Sequence, residues 1–245
     1  MSVPDTIQNQ FANTRNFSEL WDRLHEALRP FGVTSIFLGF GHSRKSVDIK
    51  GIMEPIWSKT SHPKEYCAYY ADKYYIDDDL SSLHCLHATS PFLWHDFSAW
   101  GTPTLRQKRF MHESWDFNMG VGVTIPLRFN NNTGIGGIGM ATAEMTPDEF
   151  DAMWDKHSSD FLEIVHCFKE QAFQDYNFIF QLSPRELEIL TLLSQGLVPS
   201  EIAARLGTSI STVGHQIRNA RKKLQAVSNE HAVARAIFFS VIQDH

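Results

Sequence analysis

The sequence predicts an α+β fold, in which a part combining helices with an antiparallel sheet precedes an all-α unit of four short helices. Three observations support this fold class. Segments typical of strands occur only before residue 145, two helix-start signals follow at residues 146 and 183, and the two parts differ in charge. The chain therefore divides, on this prediction, into residues 1–174, a linker at 175–182 and residues 183–245.

The charge difference is visible in simple counts. The 245 residues carry a net charge of −6, but residues 181–245 contain seven Lys and Arg against five Asp and Glu, while the rest is net acidic. No apolar run approaches the roughly 18 residues that span a bilayer, and the N-terminus lacks the pattern of a secretory signal. Three cysteines at wide spacings argue against disulfides and for a reducing compartment. We expect a cytoplasmic protein without a membrane partner, whose C-terminal part tolerates a polyanion better.

The N-terminal part begins with an amphipathic helix at residues 18–32, whose apolar residues recur at helical spacing and which ends at Gly32. Residues 33–40, 121–129 and 134–143 are β-branched or rich in glycine, and are predicted strands. Residues 130–134 are the predicted hairpin loop between the last two strands. The glycines of GIGGIG (134–139) then make room for a ligand or a neighbouring backbone, because no helix follows to bind a phosphate.

Two capping boxes open the helices that follow. Thr146 with Glu149 starts a long helix that runs to about residue 175, and Ser183 with Glu186 starts the C-terminal unit; a proline follows each cap. In that unit the first helix ends at Gly196 and buries Leu187, Ile189, Leu190 and Leu193. The second helix runs from Ser200 to Gly207, the third from about 209 to 225, and the fourth closes the chain. The short turn between the second and third helices indicates a helix-turn-helix.

The third helix has two opposite faces. Val213, Ile217, Ala220 and Leu224 form an apolar stripe, and Ser211, His215, Arg218 and Lys222 form a polar one. A helix of this kind suits the major groove of double-stranded operator DNA, where Arg218 would bind guanine O6 and N7. Phosphate contacts are expected from Ser211, Thr212, Arg221 and Lys222. Lys223 lies nearer the core boundary, and an ordinary cationic surface helix is the alternative interpretation.

Residues 182–224 closely resemble the DNA-binding domain of LuxR-type transcriptional regulators. Residues at that family's spacings are Leu182, Glu186, Leu190, Gly196, Glu201-Ile202-Ala203, Thr212-Val213 and Lys223-Leu224. Two positions depart from the family. Gly214 replaces a basic residue, which removes a base contact and costs up to about 1 kcal/mol of helix propensity, and Gln216 replaces a histidine.

Five of the six tyrosines lie within ten residues, YCAYYADKYY (66–75). Tyr66 and Tyr70 are four apart and share a face if this segment is helical. Aromatic side chains with a few polar groups are typical of an enclosed site for a small, partly apolar ligand, although an ordinary aromatic core would give the same composition.

The same region resembles the autoinducer-binding domain of LuxR-type quorum-sensing receptors. Tyr66, Tyr70, Asp79, Trp94 and Gly122 match its signature without a gap. The resemblance implies an α/β/α sandwich that binds an acyl-homoserine lactone or an analogue. It also implies that Asp79 accepts the ligand amide N–H, Tyr70 donates to the acyl carbonyl, Trp94 packs on the head group and Phe110 forms a wall.

This chain departs from the signature at two positions. Tyr66 replaces a tryptophan, Leu80 replaces a proline, and both changes affect the expected ligand. Asp77 and Asp78 precede Asp79, so the sequence leaves open which carboxylate faces the site.

Together these features predict a ligand-responsive, quorum-sensing transcriptional regulator that is not an enzyme and uses no metal or cofactor beyond its signal. We expect a homodimer, with Val233, Ile237 and Phe238 of the last helix as contacts. One alternative is a ligand-independent regulator of the same type. The other is a metal-dependent sensor or enzyme that uses His84 and His87, which share a face only if their segment is helical.

Overall fold

The computed structural model describes residues 3–42, 57–129 and 134–242. Most of the predicted hairpin loop, residues 130–133, lies outside the described residues. The chain divides into two compact units: residues 1–9 with 22–166, and residues 10–21 with 167–245. Within the described ranges, no helix is both long enough and apolar enough to cross a membrane.

The N-terminal half alternates helices with short strands. Its helices are α1 (Val3–Ala12), α2 (Phe17–Leu28), α3 (Lys64–Asp72), α4 (Leu80–His87), α5 (Leu105–Asp116) and α6 (Pro147–Phe173), with short 3₁₀ turns at Arg29–Phe31, Tyr75–Asp77 and Phe97–Trp100. Its strands are β1 (Ser35–His42), β2 (Trp57–Thr60), β3 (Phe92–Leu93), β4 (Gly122–Phe129) and β5 (Gly134–Ala141).

The five strands form one antiparallel sheet in the order β2-β1-β5-β4-β3. The three longer strands are the ones that the sequence predicts. The two short edge strands, β2 and β3, are not predicted, because four and two residues are too few to show a period of two. Gly32 ends the turn after α2 in the left-handed conformation, with φ 79°, as its predicted role at the helix end requires.

One face of the sheet is aliphatic and sealed from water. Ile36 pairs with Met140, and Leu38 pairs with Ile138, so these four side chains project to the same side. All four are fully buried, as are Leu24 and Leu28 of α2 and Phe150 and Phe161 of α6. Burial of this much apolar surface is the main stabilising contribution in this unit.

The C-terminal unit consists of short helices. They are α7 (Tyr176–Phe180), α8 (Pro184–Ser194), α9 (Pro199–Arg205), α10 (Ile210–Lys223) and α11 (Asn229–Phe238). The one-turn helix α7 lies in the predicted linker, and the rings of Tyr176 and Phe180 lie 5.5 and 4.9 Å from that of Phe239. Helices α8, α9 and α10 share a core of Ile189, Leu192, Ile202, Ala203, Val213 and Ile217.

The predicted caps are confirmed. The Ser183 hydroxyl accepts from the Glu186 amide, and the Glu186 carboxylate accepts from the Ser183 amide at 2.7 Å. Thr146 and Glu149 make the same exchange at α6. Helix α9 begins at Pro199 rather than at the predicted Ser200.

The burial prediction for α8 was wrong at two positions. Leu187 and Leu193 are half-buried, whereas Leu192 is buried together with the predicted Ile189 and Leu190. Residues 189, 192 and 193 are close together around the helix, so periodicity alone does not tell which of them faces the core most directly.

Candidate functional site

The second face of the sheet carries small residues where the first carries aliphatic ones. Gly139 pairs with both Phe37 and Thr124, and Gly137 pairs with Gly39. These side chains project opposite to those of Ile138 and Met140, since alternate residues of a strand face opposite sides. Glycine and threonine at the centre of this face leave a shallow floor on which other side chains can lie.

Trp94 and helix α4 lie close to that floor. A Cβ atom on Gly139 would lie 3.3 Å from the Trp94 ring, and one on Gly137 would lie 2.7 Å from the sulfur of Cys85 in α4. The Trp94 indole N–H donates to the Thr124 hydroxyl at 2.8 Å. At Gly122 a Cβ atom would collide with the Met140 carbonyl oxygen and lie 2.7 Å from the Trp94 ring. Gly122, the glycine of the signature, therefore leaves room for Trp94 to lie close to the sheet. The GIGGIG segment is a strand, as predicted.

Helix α3 presents a wall of aromatic rings, and Tyr66 and Tyr70 share one of its faces as predicted. Their centroids are 6.1 Å apart. Tyr66 also contacts Phe117 at 5.7 Å, and Tyr70 contacts Phe110 at 5.6 Å. Burial, and then the nearby Asp79 carboxylate, raise the pKa of both phenols, so both remain protonated hydrogen-bond donors.

Asp79 connects this wall to α4. It is the N-cap of that helix, and one carboxylate oxygen accepts from the Ser81 and Ser82 amides and from the Ser81 hydroxyl. The other oxygen accepts from the Tyr70 and Ser82 hydroxyls, each at 3.0 Å. Asp78 instead pairs with Arg106. Of the three aspartates, Asp79 is the one that the structure joins to a predicted ligand residue.

His62 belongs to the same cluster and was not predicted from the sequence. Its ring contacts Tyr66 at 6.1 Å and Trp94 at 6.5 Å, and its Nδ1 lies 2.7 Å from the Ser35 hydroxyl. Burial, reinforced by the charge of His25, lowers the pKa of His62 to about 4, so the ring is neutral at physiological pH. It lies in a proline-containing turn before α3, where no helical period links it to Tyr66.

The two histidines considered as metal ligands do lie on one helix, α4. The His84 Nε2 lies 2.8 Å from the Ser90 carbonyl oxygen, and His87 is exposed. Across the described residues, no group of three or more His, Cys, Asp or Glu side chains is placed to bind a metal ion.

In the C-terminal unit, α10 has the two faces that its sequence predicts. Val213, Ile217, Ala220 and Leu224 are buried, and Ser211, His215, Arg218 and Lys222 are all exposed. Ser209 caps the helix by accepting from the Thr212 amide at 3.0 Å. The His215 ring is held by Asn219, whose Nδ2 lies 3.2 Å from the His215 Nε2.

The other two cations of α10 are tied to the protein. The Arg221 guanidinium donates to the Val227 carbonyl. The Lys223 ammonium donates to the Gln181 carbonyl at 2.8 Å and to the buried Glu186 carboxylate at 2.7 Å. Burial alone would raise the pKa of Glu186, but the hydrogen bond and charge of Lys223 outweigh it and hold this pKa below its usual value. The expectation that Lys223 lies at the core boundary is confirmed.

Known proteins match both parts of the chain. Residues 16–172 match the family described as "Autoinducer binding domain", and residues 181–236 match "Bacterial regulatory proteins, luxR family". "Transcriptional activator protein AnoR" of Acinetobacter nosocomialis is 22% identical over 98% of this chain and 99% of its own length.

Solved structures are similar over almost the whole chain. Escherichia coli SdiA has a TM-score of 0.52 at 18% identity and covers 98% of both chains. SdiA in complex with octanoyl-rac-glycerol has a TM-score of 0.53 at 18% identity, over 99% of this chain and 96% of that one. These likenesses confirm the predicted fold class, a mixed helix and antiparallel-sheet domain followed by a helical one.

Proposed function

Because this chain belongs to the LuxR-type quorum-sensing transcriptional regulators, with an autoinducer-binding domain and a DNA-binding domain, we propose which residues carry its two binding activities. One observation carries the assignment to DNA: the polar stripe of α10 is exposed along its whole length while the opposite stripe is buried. A helix held by one face against its own domain leaves the other free to enter a major groove.

For DNA, Arg218 reads a guanine through O6 and N7, and His215, oriented by Asn219, contacts a neighbouring base edge. Ser211, Thr212 and Lys222 bind phosphates and fix the register of the helix. Arg221 contributes a phosphate contact by releasing the Val227 carbonyl.

For the signal, the ligand lies between the glycine floor of the sheet and the aromatic wall. Tyr66, Trp94 and Phe110 supply apolar surface, and Tyr70 and Asp79 supply the polar pair. An amide fits that pair, since its N–H donates to Asp79 while its C=O accepts from Tyr70, so we propose an acyl-homoserine lactone or an analogue. SdiA has been solved with an acylglycerol, which lacks an amide, so an acyl chain with a different polar head is the second ligand class to test.

We also propose the domain limits 1–174 and 183–245 with a linker at 175–182, and a homodimer whose contacts include Val233, Ile237 and Phe238. These three side chains are half-buried in α11. The protein acts in the cytoplasm, where operator DNA is found, binds without catalysing a reaction, and activates transcription as the name of its AnoR relative suggests.

Two experiments test these assignments. Selection of duplexes from a random DNA library by the full-length protein identifies the operator, and repeating it with Arg218→Ala removes the preference for one base pair per half-site. Mass spectrometry of small molecules that remain bound through purification identifies the signal, and Tyr70→Phe reduces the amount retained. An unchanged sequence preference in Arg218→Ala would contradict the DNA assignment, and equal retention by Tyr70→Phe would contradict the ligand assignment.

A further inference from the structure

Gly214 lies in the interior of α10, at its fifth residue. Gly214 does not have the positive φ that Gly32, Gly196 and Gly207 have. Its backbone conformation is therefore one that any residue can adopt. A glycine in a helix interior is less stable there than an alanine. The presence of glycine here therefore needs an explanation other than the stability of the helix.

The protein itself gives no such reason. A Cβ atom on Gly214 would meet only the Arg218 Nη1, at 3.6 Å, which is an ordinary van der Waals distance to the end of a flexible side chain. This differs from Gly122, where a Cβ atom would collide with the backbone carbonyl of Met140. An alanine therefore fits at 214 without strain, so a cost of adding a side chain here would come from a partner and not from the protein itself.

The surface around Gly214 is the one that faces DNA in the proposed function. On a helix its neighbours are the residues three and four positions away. Ile217 is buried on one side of the half-buried Gly214, and on the other side Ile210, Ser211 and Arg218 are exposed. Ile210 is an unusual surface residue, since 58% of it is accessible to solvent. Gly214 thus forms a notch with an apolar side chain on one side and a guanidinium group on the other. We call Ile210, Gly214 and Arg218 the glycine notch.

We infer that the glycine notch receives the C5-methyl group of a thymine, so that this regulator reads one base by shape beside the base read by Arg218. The thymine methyl is the apolar group that base pairs display in the major groove, and the other groups there are hydrogen-bond donors and acceptors. Ile210 gives the methyl an apolar partner, and the missing Cβ of Gly214 allows the helix backbone to come close. The inference rests on α10 being the recognition helix.

The test replaces thymine by deoxyuridine, which lacks only that methyl group. Full-length protein, purified from its native cells, first selects operator duplexes from a random library. Each operator thymine is then replaced singly by deoxyuridine, and affinities are measured for the wild type and Gly214→Ala. We expect one thymine per half-site at which replacement by deoxyuridine weakens wild-type binding 3- to 10-fold. This thymine should lie next to the guanine that Arg218→Ala no longer prefers.

Gly214→Ala should bind the thymine operator 3- to 10-fold more weakly than the wild type while melting at an equal or higher temperature. At the critical position it should no longer distinguish thymine from deoxyuridine. Gln216→Ala is the matched control, because it lies on the same helix away from the notch, and it should retain wild-type affinity and the same response to deoxyuridine.

The possible failures are distinguishable. If the wild type enriches no duplex, the DNA-binding function itself is contradicted. The wild type could instead enrich an operator while every deoxyuridine replacement affects it and Gly214→Ala equally, or Gly214→Ala could bind as well as the wild type. Either result would show that the thymine inference is wrong and leave the operator assignment standing.

Discussion

The proposed ligand region and the proposed recognition helix, α10, differ in where their polar groups find partners. In the first unit, Tyr70 bonds to Asp79, the Trp94 indole bonds to Thr124, and the His62 ring bonds to Ser35. On α10, within the described part of the chain, the side chains of Ser211, Arg218 and Lys222 make no hydrogen bond to the protein. The polar groups of the first cluster are already satisfied internally, whereas these three side chains of α10 have donors ready for a partner.

This difference determines which hydrogen bonds must be broken when each partner binds. A ligand amide that binds Asp79 and Tyr70 must break the bond between them, so its net gain is the difference between two sets of hydrogen bonds. DNA that meets Arg218 replaces only water. The signal is therefore expected to draw its affinity largely from the apolar floor and wall, and the operator to draw its specificity from hydrogen bonds.

The largest expected effect tests the close approach in the ligand region. Gly122→Ala should destabilise the protein by about 3 kcal/mol, because its Cβ collides with a backbone carbonyl that cannot move aside without shifting a central strand. Urea denaturation measures the change. Gly214→Ala, where a Cβ has room, is the control and should not destabilise; equal losses from both would refute the packing argument.

A smaller loss of stability is expected in the C-terminal unit, at the ion pair between Lys223 and the buried Glu186. Lys223→Ala should cost about 2 kcal/mol, because it leaves the Glu186 carboxylate buried without a cation. The wild-type pair stabilises above about pH 4.3, the usual pKa of Glu, and the contribution is lost as pH falls through the lowered pKa of Glu186. Without Lys223, the folded protein is more stable when the Glu186 carboxyl is protonated. The loss of stability relative to the wild type should therefore be largest at pH 7 and shrink below pH 4.

The control for Lys223 is an exposed pair in the same unit. Arg185 and Glu188 lie 2.7 Å apart but are both about half exposed. Arg185 also donates to the Leu206 carbonyl, so the control removes the acid: Glu188→Ala should change stability by less than about 0.5 kcal/mol at any pH. A pH-independent loss in Lys223→Ala would mean that packing, and not charge, is what the lysine contributes.

On the recognition helix, Arg218→Ala should weaken operator binding about 10- to 100-fold, the value of one bidentate base contact, with little effect on the melting temperature. Lys222→Ala should weaken binding to all sequences alike. Fluorescence anisotropy with the selected operator and a scrambled duplex separates the two results, and identical losses on both duplexes in Arg218→Ala would show a phosphate contact instead.

The smallest effect concerns the internal pair of the ligand region. Tyr70→Phe should destabilise the unliganded protein by about 1 kcal/mol, since Asp79 keeps four other hydrogen bonds. The thermal shift given by signal-containing extract should also fall. Asp79→Asn, which disturbs the helix cap as well, should cost more, and a reversed order would show that the Tyr70 bond dominates this cluster.

The sequence predicted the two faces of α10 well and the side-chain cluster around Asp79 only in outline. Val213, Ile217 and Arg218 lie within one helix, where local periodicity determines which side chains are buried. Tyr66 and Tyr70 were placed on one face for the same reason. The contacts that join them to Asp79 and Trp94 depend on how strands and helices pack, and no local pattern records them.

The same limit explains the residues that were missed. His62 enters the site through a turn, and the short strands β2 and β3 exist only because β1 and β4 offer them partners. Leu192 rather than Leu193 is buried because α9 and α10 pack on that side of α8. In each case tertiary packing determines the structure, because the local sequence is compatible with more than one conformation or buried face.

The Lys223–Glu186 bond also bears on how the regulator responds to ionic strength. A lysine neutralised by its own domain displaces no counterion from DNA, so the four cations of α10 act as three at most. For a dimer, the slope of log affinity against log salt should then be shallower by about 1.8 than the sequence suggests. A cell whose internal salt rises under osmotic stress would lose less of this protein from its operators.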